Sequence, residues 1–172
     1  AGAAAGPARD RAEAYHRAGH HPFAGVQTAA LGLDWPAVVG QKDDLVGELR
    51  QGKYEDVLAS YGDRITLIQG RGRVQPDGSV ALDDGRTLTA GLVVIASGAA
   101  PRILPLDGIE EIDVLTSTSA MALPQQPRSL LVIGGRAIAL ELGQTFARVG
   151  TQVTILQRSP RLIPEHEPEI AE

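Results

Sequence analysis

The residues best placed to do chemistry lie in the last quarter of the chain. Gly134-Gly135-Arg136-Ala137-Ile138-Ala139 follows the apolar run Leu130–Ile133 and opens a segment with helical patterning. A strand that turns sharply into a helix presents backbone N–H groups and the positive end of the helix dipole, a combination that suits a pyrophosphate. The dinucleotide fingerprint is G-x-G-x-x-G/A. Gly134 and Ala139 fit its two ends, whereas Arg136 stands where the second glycine would leave room for phosphates. Without its context the same stretch is a plain β-α-β packing turn. The ribose of such a cofactor is read at the end of the next strand, where a carboxylate holds a 2′-OH and a basic group takes a 2′-phosphate. There the chain reads Leu156-Gln157-Arg158-Ser159-Pro160-Arg161. It offers no acid and two guanidiniums, which bind phosphate through charge-assisted bidentate bonds. The alternative is two solvated surface arginines; the chemistry favours NADP.

A second candidate is Leu92-Val93-Val94-Ile95-Ala96-Ser97-Gly98, closed by Pro101. A strand ending in small residues lets a ligand approach the backbone, although an ordinary strand exit looks the same. His16, His20 and His21 lack a second patterned ligand and read as exposed loop histidines rather than a metal site. Glu165, Glu167, Glu169 and Glu172 around His166 read as a solvated helix start. Asp83 and Asp84 fall in a turn, which argues against a glycosidase pair. No G-x-S-x-G elbow is present.

These residues need elements to hold them. Ala1 to Arg9 reads as a tail, Asp10 to Arg17 as a helix end closed by Gly19. A second helix is expected from Pro36, with Asp34 as N-cap and Val38, Val39, Leu45, Val46, Leu49, Val57 and Leu58 at roughly helical spacing. Gly40, Gly47 and Gly52 weaken it. From Arg64 the period becomes two, predicting strands over 65–69, 79–82 and 86–89. Gly70-Arg71-Gly72 interrupts them, and Pro76-Asp77-Gly78 and Asp83-Asp84-Gly85 supply turns. Leu92–Ile95 reads as a strand buried on both faces, and Leu130–Ile133 as a buried strand. A Thr/Ser-rich piece, Thr116 to Ser119, lies between proline-marked connectors. Ile138, Leu142, Phe146 and Val149 form the stripe of an amphipathic helix ended by Gly150, and Val153–Leu156 closes a β-α-β unit.

Composition excludes several classes. With 172 residues the chain predicts about one domain with a sizeable core. It has no cysteine, so no disulfide framework, thiolate zinc site or thiol catalysis comes from these residues. A formal net charge of −5 argues against a nucleic-acid partner. The longest apolar runs fall far short of the ~20 residues that span a bilayer, and no secretory signal opens the chain. A cytoplasmic location is expected.

The order of the motifs carries more than any one of them. A meander, then V-V-I-A-S-G-A-A-P, L-T-S-T-S-A-M-A-L-P and L-L-V-I-G-G-R-A-I-A-L-E, resembles the middle of the flavin-dependent pyridine nucleotide–disulfide oxidoreductases. A-E-A-Y-H-R-A-G-H-H-P-F-A-G-V, Q-G-K-Y-E-D-V-L and A-L-E-L-G-Q-T-F-A-R-V-G-T-Q-V-T-I-L-Q-R-S-P-R-L are similar to the members that reduce Hg(II). The likeness runs from Arg11 to Glu172.

The resemblance implies an α/β, three-layer, Rossmann-like FAD/NAD(P)-binding fold, present in part, with a small antiparallel meander. It implies the later part of an FAD domain over residues 1–125, of which 1–10 look non-native, and the first β-α-β of an NADPH domain over 126–172. It further implies that Gly72, Ala96, Ser97 and Gly98 touch FAD, and that Gly134 to Ala139 hold the NADPH pyrophosphate, with Arg158 and Arg161 at its 2′-phosphate. Glu141 matches a glutamate near flavin and nicotinamide that the family pairs with an upstream lysine; no matching lysine is found. The family's cysteine pair, expected to end near Gly2, and its first glycine-rich FAD turn are absent from these residues. The chain is thus expected to be an internal stretch, inactive alone, of a homodimeric enzyme whose substrate is Hg(II). Alternatives are a dihydrolipoamide-oxidising or other disulfide reductase of the same family, or a non-catalytic dinucleotide-binding module.

Overall fold

The structure, a computed structural model, describes residues 2–20, 22 and 24–164. It divides into two compact units: one takes in residues up to Gln51 and from Ile103 onward, the other is Gly52–Arg102. The first unit joins segments from both sides of the expected 125/126 boundary.

In the first unit, helix α1 spans Gly2–Gly19. The expected tail is therefore helical: alanine is the best helix former, and its density here outweighs Pro7 inside the helix. The Pro7 carbonyl accepts a hydrogen bond from Arg11 Nη1 at 2.8 Å. Helix α2, Trp35–Arg50, begins as expected, with Asp34 Oδ1 accepting from Ala37 N at 3.0 Å and Pro36 in the first turn. It runs on through a π-helical turn at Gln51–Glu55 into the short helix α3, Asp56–Ser60, of the second unit.

Helix α4, Ser117–Ala120, starts at a reciprocal capping box between Thr116 and Ser119, so the Thr/Ser-rich piece is a helix start. Strand β4 is Ser129–Ile133, helix α5 is Ala137–Arg148, and β5 is Gln152–Leu156. β4 and β5 pair in parallel, from Ser129 opposite Gln152 to Ile133 opposite Leu156.

The core forms where α5 meets α1 and α2. Phe146 is 1% exposed and clusters with Ala12, Trp35, Ala120 and Val149. Its ring lies 5.4 Å from that of Trp35, whose indole donates to the Leu123 carbonyl. Leu142, Phe146 and Val149 are buried as their spacing predicts. Ile138, on the first turn of α5, is a correction: it is 55% exposed, beyond the residues that cover the other three. Leu130–Ile133 is a second correction. The strand is half-buried, because α5 covers one face of the β4–β5 pair, close enough that a Cβ on Gly143 would touch Val153 and Ile155 of β5 at 3.5 Å. Leu131, Ile133 and Leu156 on the other face stay exposed.

The second unit holds an antiparallel meander of β1 (Gly72–Val74), β2 (Val80–Leu82) and β3 (Thr87–Leu88). Its turns are those expected. Asp77 Oδ1 accepts from the Ser79 backbone and hydroxyl at 3.0 and 2.7 Å, and Asp84 takes the Arg86 N–H and guanidinium. Gly78 and Gly85 sit at φ +83° and +88°. Two expectations fail here. Residues 65–69 form no ladder, and β1 instead begins at Gly72, the last residue of the glycine-rich interruption. Leu92–Ile95 also forms no strand: Leu92, Val94 and Ile95 are 81%, 78% and 73% exposed. An apolar run needs neighbouring strands to satisfy its backbone and cover both its faces, and the described residues of the unit provide none.

Candidate nucleotide-binding site

The end of β4, the start of α5 and the loop after β5 converge on one glycine turn. Gly134 has φ +113°, a conformation that L side chains rarely adopt, and its N–H donates to the Leu156 carbonyl at 2.8 Å. The turn is thereby pinned to the end of the neighbouring strand. Among the described residues, a Cβ on Gly134 would meet nothing within 4 Å, so this side of the backbone is open to them. On Gly135 it would lie 2.7 Å from Leu162 Cδ2 and 3.1 Å from Gln157 Cγ and Cδ, so that side is roofed by the following loop.

Arg136 is the N-cap of α5, extended at φ −95° and ψ 178°, and its side chain makes no capping bond to the helix. The first N–H groups of a helix have no intrahelical acceptor. Those of Ala137, Ile138 and Ala139 therefore remain for an anion at the positive end of a 12-residue helix. An open glycine and a helix start with no side-chain cap suit the phosphates of a dinucleotide, and Arg158 and Arg161 stand in the loop that follows β5.

The loop after β5 is fastened to the turn. The Ile163 N–H donates to the Gly135 carbonyl at 2.9 Å. Ile163 itself sits at φ +41°, a strained conformation for a β-branched residue. Gln157 Oε1 accepts from the Arg158 N–H at 3.2 Å, and Nε2 donates to the Arg161 carbonyl at 3.4 Å. Arg161 Nη2 donates to the Pro164 carbonyl at 3.0 Å, while the Arg158 side chain is exposed.

Sequence-expected residues thus fall into two groups. Gly134 to Ala139, Arg158 and Arg161 are brought together in the first unit. Gly72, Ala96, Ser97 and Gly98 all belong to the second. Gly72 lies within β1, where a Cβ would come within 3.0 Å of Val80 Cγ1, and residues 96–98 are exposed, with Gly98 at φ +69°. Glu141 faces Arg9 of α1, its Oε1 3.7 Å from Nη1. Sequence reading missed Arg9 by counting it in a tail; with α1 extended to Gly2, it lies on the helix that packs against α5. It also passed over Gln157 as a missing acid rather than as the tie in the loop.

His16 lies on α1, not in a loop, and its ring stacks on that of His20 at 4.4 Å; His20 Nδ1 donates to the His16 carbonyl at 3.1 Å. His21, Glu165, His166, Glu167, Glu169 and Glu172 lie outside the described residues. Among the described residues no helix is long and apolar enough to cross a membrane.

Comparison with known proteins gives this arrangement its family. The pyridine nucleotide-disulphide oxidoreductase family matches residues 5–172. The chain belongs to that family. The mercuric reductase of Streptomyces lividans is 44% identical over 170 residues, covering 98% of this chain and 35% of the relative. That of Staphylococcus aureus is 42% identical over 153 residues, covering 89% and 27%. Mitochondrial dihydrolipoyl dehydrogenase 1 of Arabidopsis thaliana is 32% identical over 162 residues, covering 91% and 31%. Among solved structures, the HOCl-induced flavoprotein disulfide reductase RclA from Escherichia coli superposes with a TM-score of 0.80 at 22% identity. That match covers 98% of this chain and 34% of RclA, and it supports the partial Rossmann-like oxidoreductase fold. The chain spans about a third or less of these relatives.

Proposed function

We propose that these residues are part of a cytoplasmic, homodimeric mercuric reductase, in which NADPH reduces Hg(II) to Hg(0) with release of NADP⁺ and a proton. The observation that carries the reading is the glycine turn of the β4–α5–β5 unit, followed at the end of β5 by Gln157 and Arg158 with no carboxylate. The 41–44% identity to mercuric reductases supports the same choice. Residues 1–125 then contribute to an FAD domain and 126–172 open the NADPH domain.

The chain's own residues would bind and orient. The open face of Gly134 and the N–H groups of Ala137 to Ala139 would hold the pyrophosphate, flanked by Gly135 and by Arg136 at the N-cap, and Arg158 and Arg161 would bind the 2′-phosphate. Gly72, Ala96, Ser97 and Gly98 would contact FAD, and Glu141, paired with Arg9, would serve near the flavin and nicotinamide. When bound, FAD supplies a two-electron carrier between reduced nicotinamide and a thiol pair, and these 172 residues contain no cysteine. The thiols must come from outside them.

The test is NADPH oxidation by the full-length gene product, with Hg(II) and with oxidised lipoamide as rival acceptors. Oxidation that depends on Hg(II) and is faster with NADPH than with NADH is expected. Turnover of lipoamide with NADH would instead favour dihydrolipoamide dehydrogenase, the reading supported by the 32% match. No turnover with either acceptor, together with nucleotide binding, would leave a non-catalytic module.

A further inference from the structure

Three aspartates of the chain, Asp77, Asp84 and Asp107, are followed by glycine, and the chain has no asparagine. An aspartate in that position is open to one intramolecular reaction: the glycine N, unshielded by a Cβ on its own residue, attacks the aspartate Cγ. The fold treats the three pairs differently. In the meander both reacting groups are held. The Gly78 N–H donates to the Gln75 carbonyl at 3.0 Å, and the Gly85 N–H to the Leu82 carbonyl at 3.1 Å. Asp77 Oδ1 accepts from the Ser79 N–H and hydroxyl, while Asp84 uses both oxygens on Arg86. The Ser79 hydroxyl and the Arg86 guanidinium do most to hold the two carboxyls below their ordinary 3.8, and an ionised carboxylate is a poor target for a nucleophile. Asp107–Gly108 is instead the central peptide of a turn closed by the Ile109 N–H on the Leu106 carbonyl at 3.1 Å, with Gly108 at φ +79°. Asp107 is exposed. Among the described residues its carboxylate, its carbonyl and the Gly108 N–H have no hydrogen-bond or ion-pair partner. A central peptide held by no bond can rotate until its N faces Cγ.

We propose that Asp107–Gly108 is a site of spontaneous, time-dependent isomerisation to isoaspartate, because its turn leaves both reacting groups free. The Gly108 N bonds to Asp107 Cγ, the Cγ–OH bond breaks, and the N–H proton leaves with the hydroxyl as water, closing a five-membered imide. Water then opens the imide at the former main-chain carbonyl, so that the chain continues through Cβ and the α-carboxylate is released. The main chain gains an atom inside the turn, which breaks the Ile109–Leu106 closure at the entry to the 3-10 turn Ile109–Glu111.

The experiment incubates the full-length gene product at neutral pH over weeks, in buffer and in guanidinium chloride. Each Asp–Gly peptide is followed by chromatography and electron-transfer mass spectrometry. In the folded protein isoaspartate should accumulate at 107 at least about tenfold faster than at 77 or 84, since each meander pair must first give up its hydrogen bonds. In denaturant the three rates should converge. Asp107→Glu, whose longer side chain cannot close a five-membered imide, should yield no product at that position and leave the far-ultraviolet circular dichroism unchanged. Equal rates at the three pairs in the folded protein would overturn the proposal, as would no isoaspartate at 107 in buffer. A preference for 107 that persists in denaturant would also overturn it, because neighbouring sequence rather than the open turn would then set the rate.

Discussion

Leu130–Ile133 and Leu92–Ile95 are both four-residue apolar runs that lead into small residues, yet they have different fates. The first pairs with β5 along five residues and has α5 laid over one face. The second forms no ladder, and three of its four side chains are largely exposed. The runs themselves do not account for this. Leu130–Ile133 has a partner strand some twenty residues downstream and a crossover helix whose inner stripe is anchored by Phe146, whereas the described residues around Leu92–Ile95 supply neither. Strand formation here depends on non-local partners, and so does the site: the Gly134 turn is assembled because two strand ends hold it, while Ala96, Ser97 and Gly98 follow a segment with no ladder.

Phe146→Ala should cost about 3–5 kcal/mol, since it removes the most buried large side chain and the ring beside Trp35. Val94→Ala, at an exposed position of the other run, should change stability by less than about 0.5 kcal/mol. Urea unfolding followed by Trp35 fluorescence, the chain having one tryptophan, measures both. Comparable effects would show that Leu92–Ile95 is packed after all.

The two turn glycines differ from each other, and both effects are smaller than that at Phe146. Gly134→Ala forces a side chain into φ +113° and should cost about 1–3 kcal/mol although the space is open. Gly135→Ala meets Leu162 and Gln157 instead. Both neighbours are flexible side chains, so the expected response is a shifted loop with a smaller loss of stability. Denaturant midpoints of the two variants separate backbone strain from crowding.

Legibility in the sequence follows the same division. The β4–turn–α5–β5 unit, the α2 cap and both meander turns could be read because each is encoded within a few residues: Gly134 and Gly150 for backbone, Asp34 for a cap, Asp77-Gly78 and Asp84-Gly85 for turns. The α1 extension through Pro7 was not legible, because proline reads as a breaker while packing of Ala12 against Phe146 and Val149 rewards the continued helix. The strand expected at 65–69 had the right alternation but no partner. At the site, the glycines and arginines were visible as types; Gln157's double hydrogen bond and Arg9's approach to Glu141 were not, since each depends on where the chain returns in space.

A third effect concerns α2, the element that brings Trp35 to the core. Asp34→Ala removes the acceptor for the Ala37 N–H and should cost about 1 kcal/mol, with Asp34→Asn retaining most of it. Thermal unfolding read through Trp35 fluorescence checks this. A loss well beyond about 2 kcal/mol would mean that Asp34 supports more than the cap.

The smallest effects are electrostatic, and they distinguish the two compact units by pH. Glu13 on α1 is held below its ordinary 4.5 by the hydrogen bond from Arg17, then by the charges of Arg148, Arg17 and His16. Its other oxygen meets Arg148 of α5, so it ties α1 to α5. In the meander, Asp77 is held below 3.8 chiefly by the Ser79 hydroxyl and then its N–H, and Asp84 by the Arg86 guanidinium and then its N–H. A carboxyl whose folded value lies below its unfolded one stabilises the fold above the unfolded value. That contribution is lost as pH falls through the folded value. Acid should therefore loosen the α1–α5 tie from about 4.5 downward, and the meander turns from about 3.8 downward. Glu13→Gln should flatten the acid limb seen by Trp35 fluorescence and leave amide exchange at Val80 unchanged, whereas Asp77→Asn should do the reverse. Added salt should weaken the Glu13 effect more, because it rests partly on charges across two helices and Asp77 on a local hydroxyl and N–H. If Glu13→Gln moves both probes, the two units do not respond to acid independently, and the contrast between the assembled core and the meander must be drawn elsewhere.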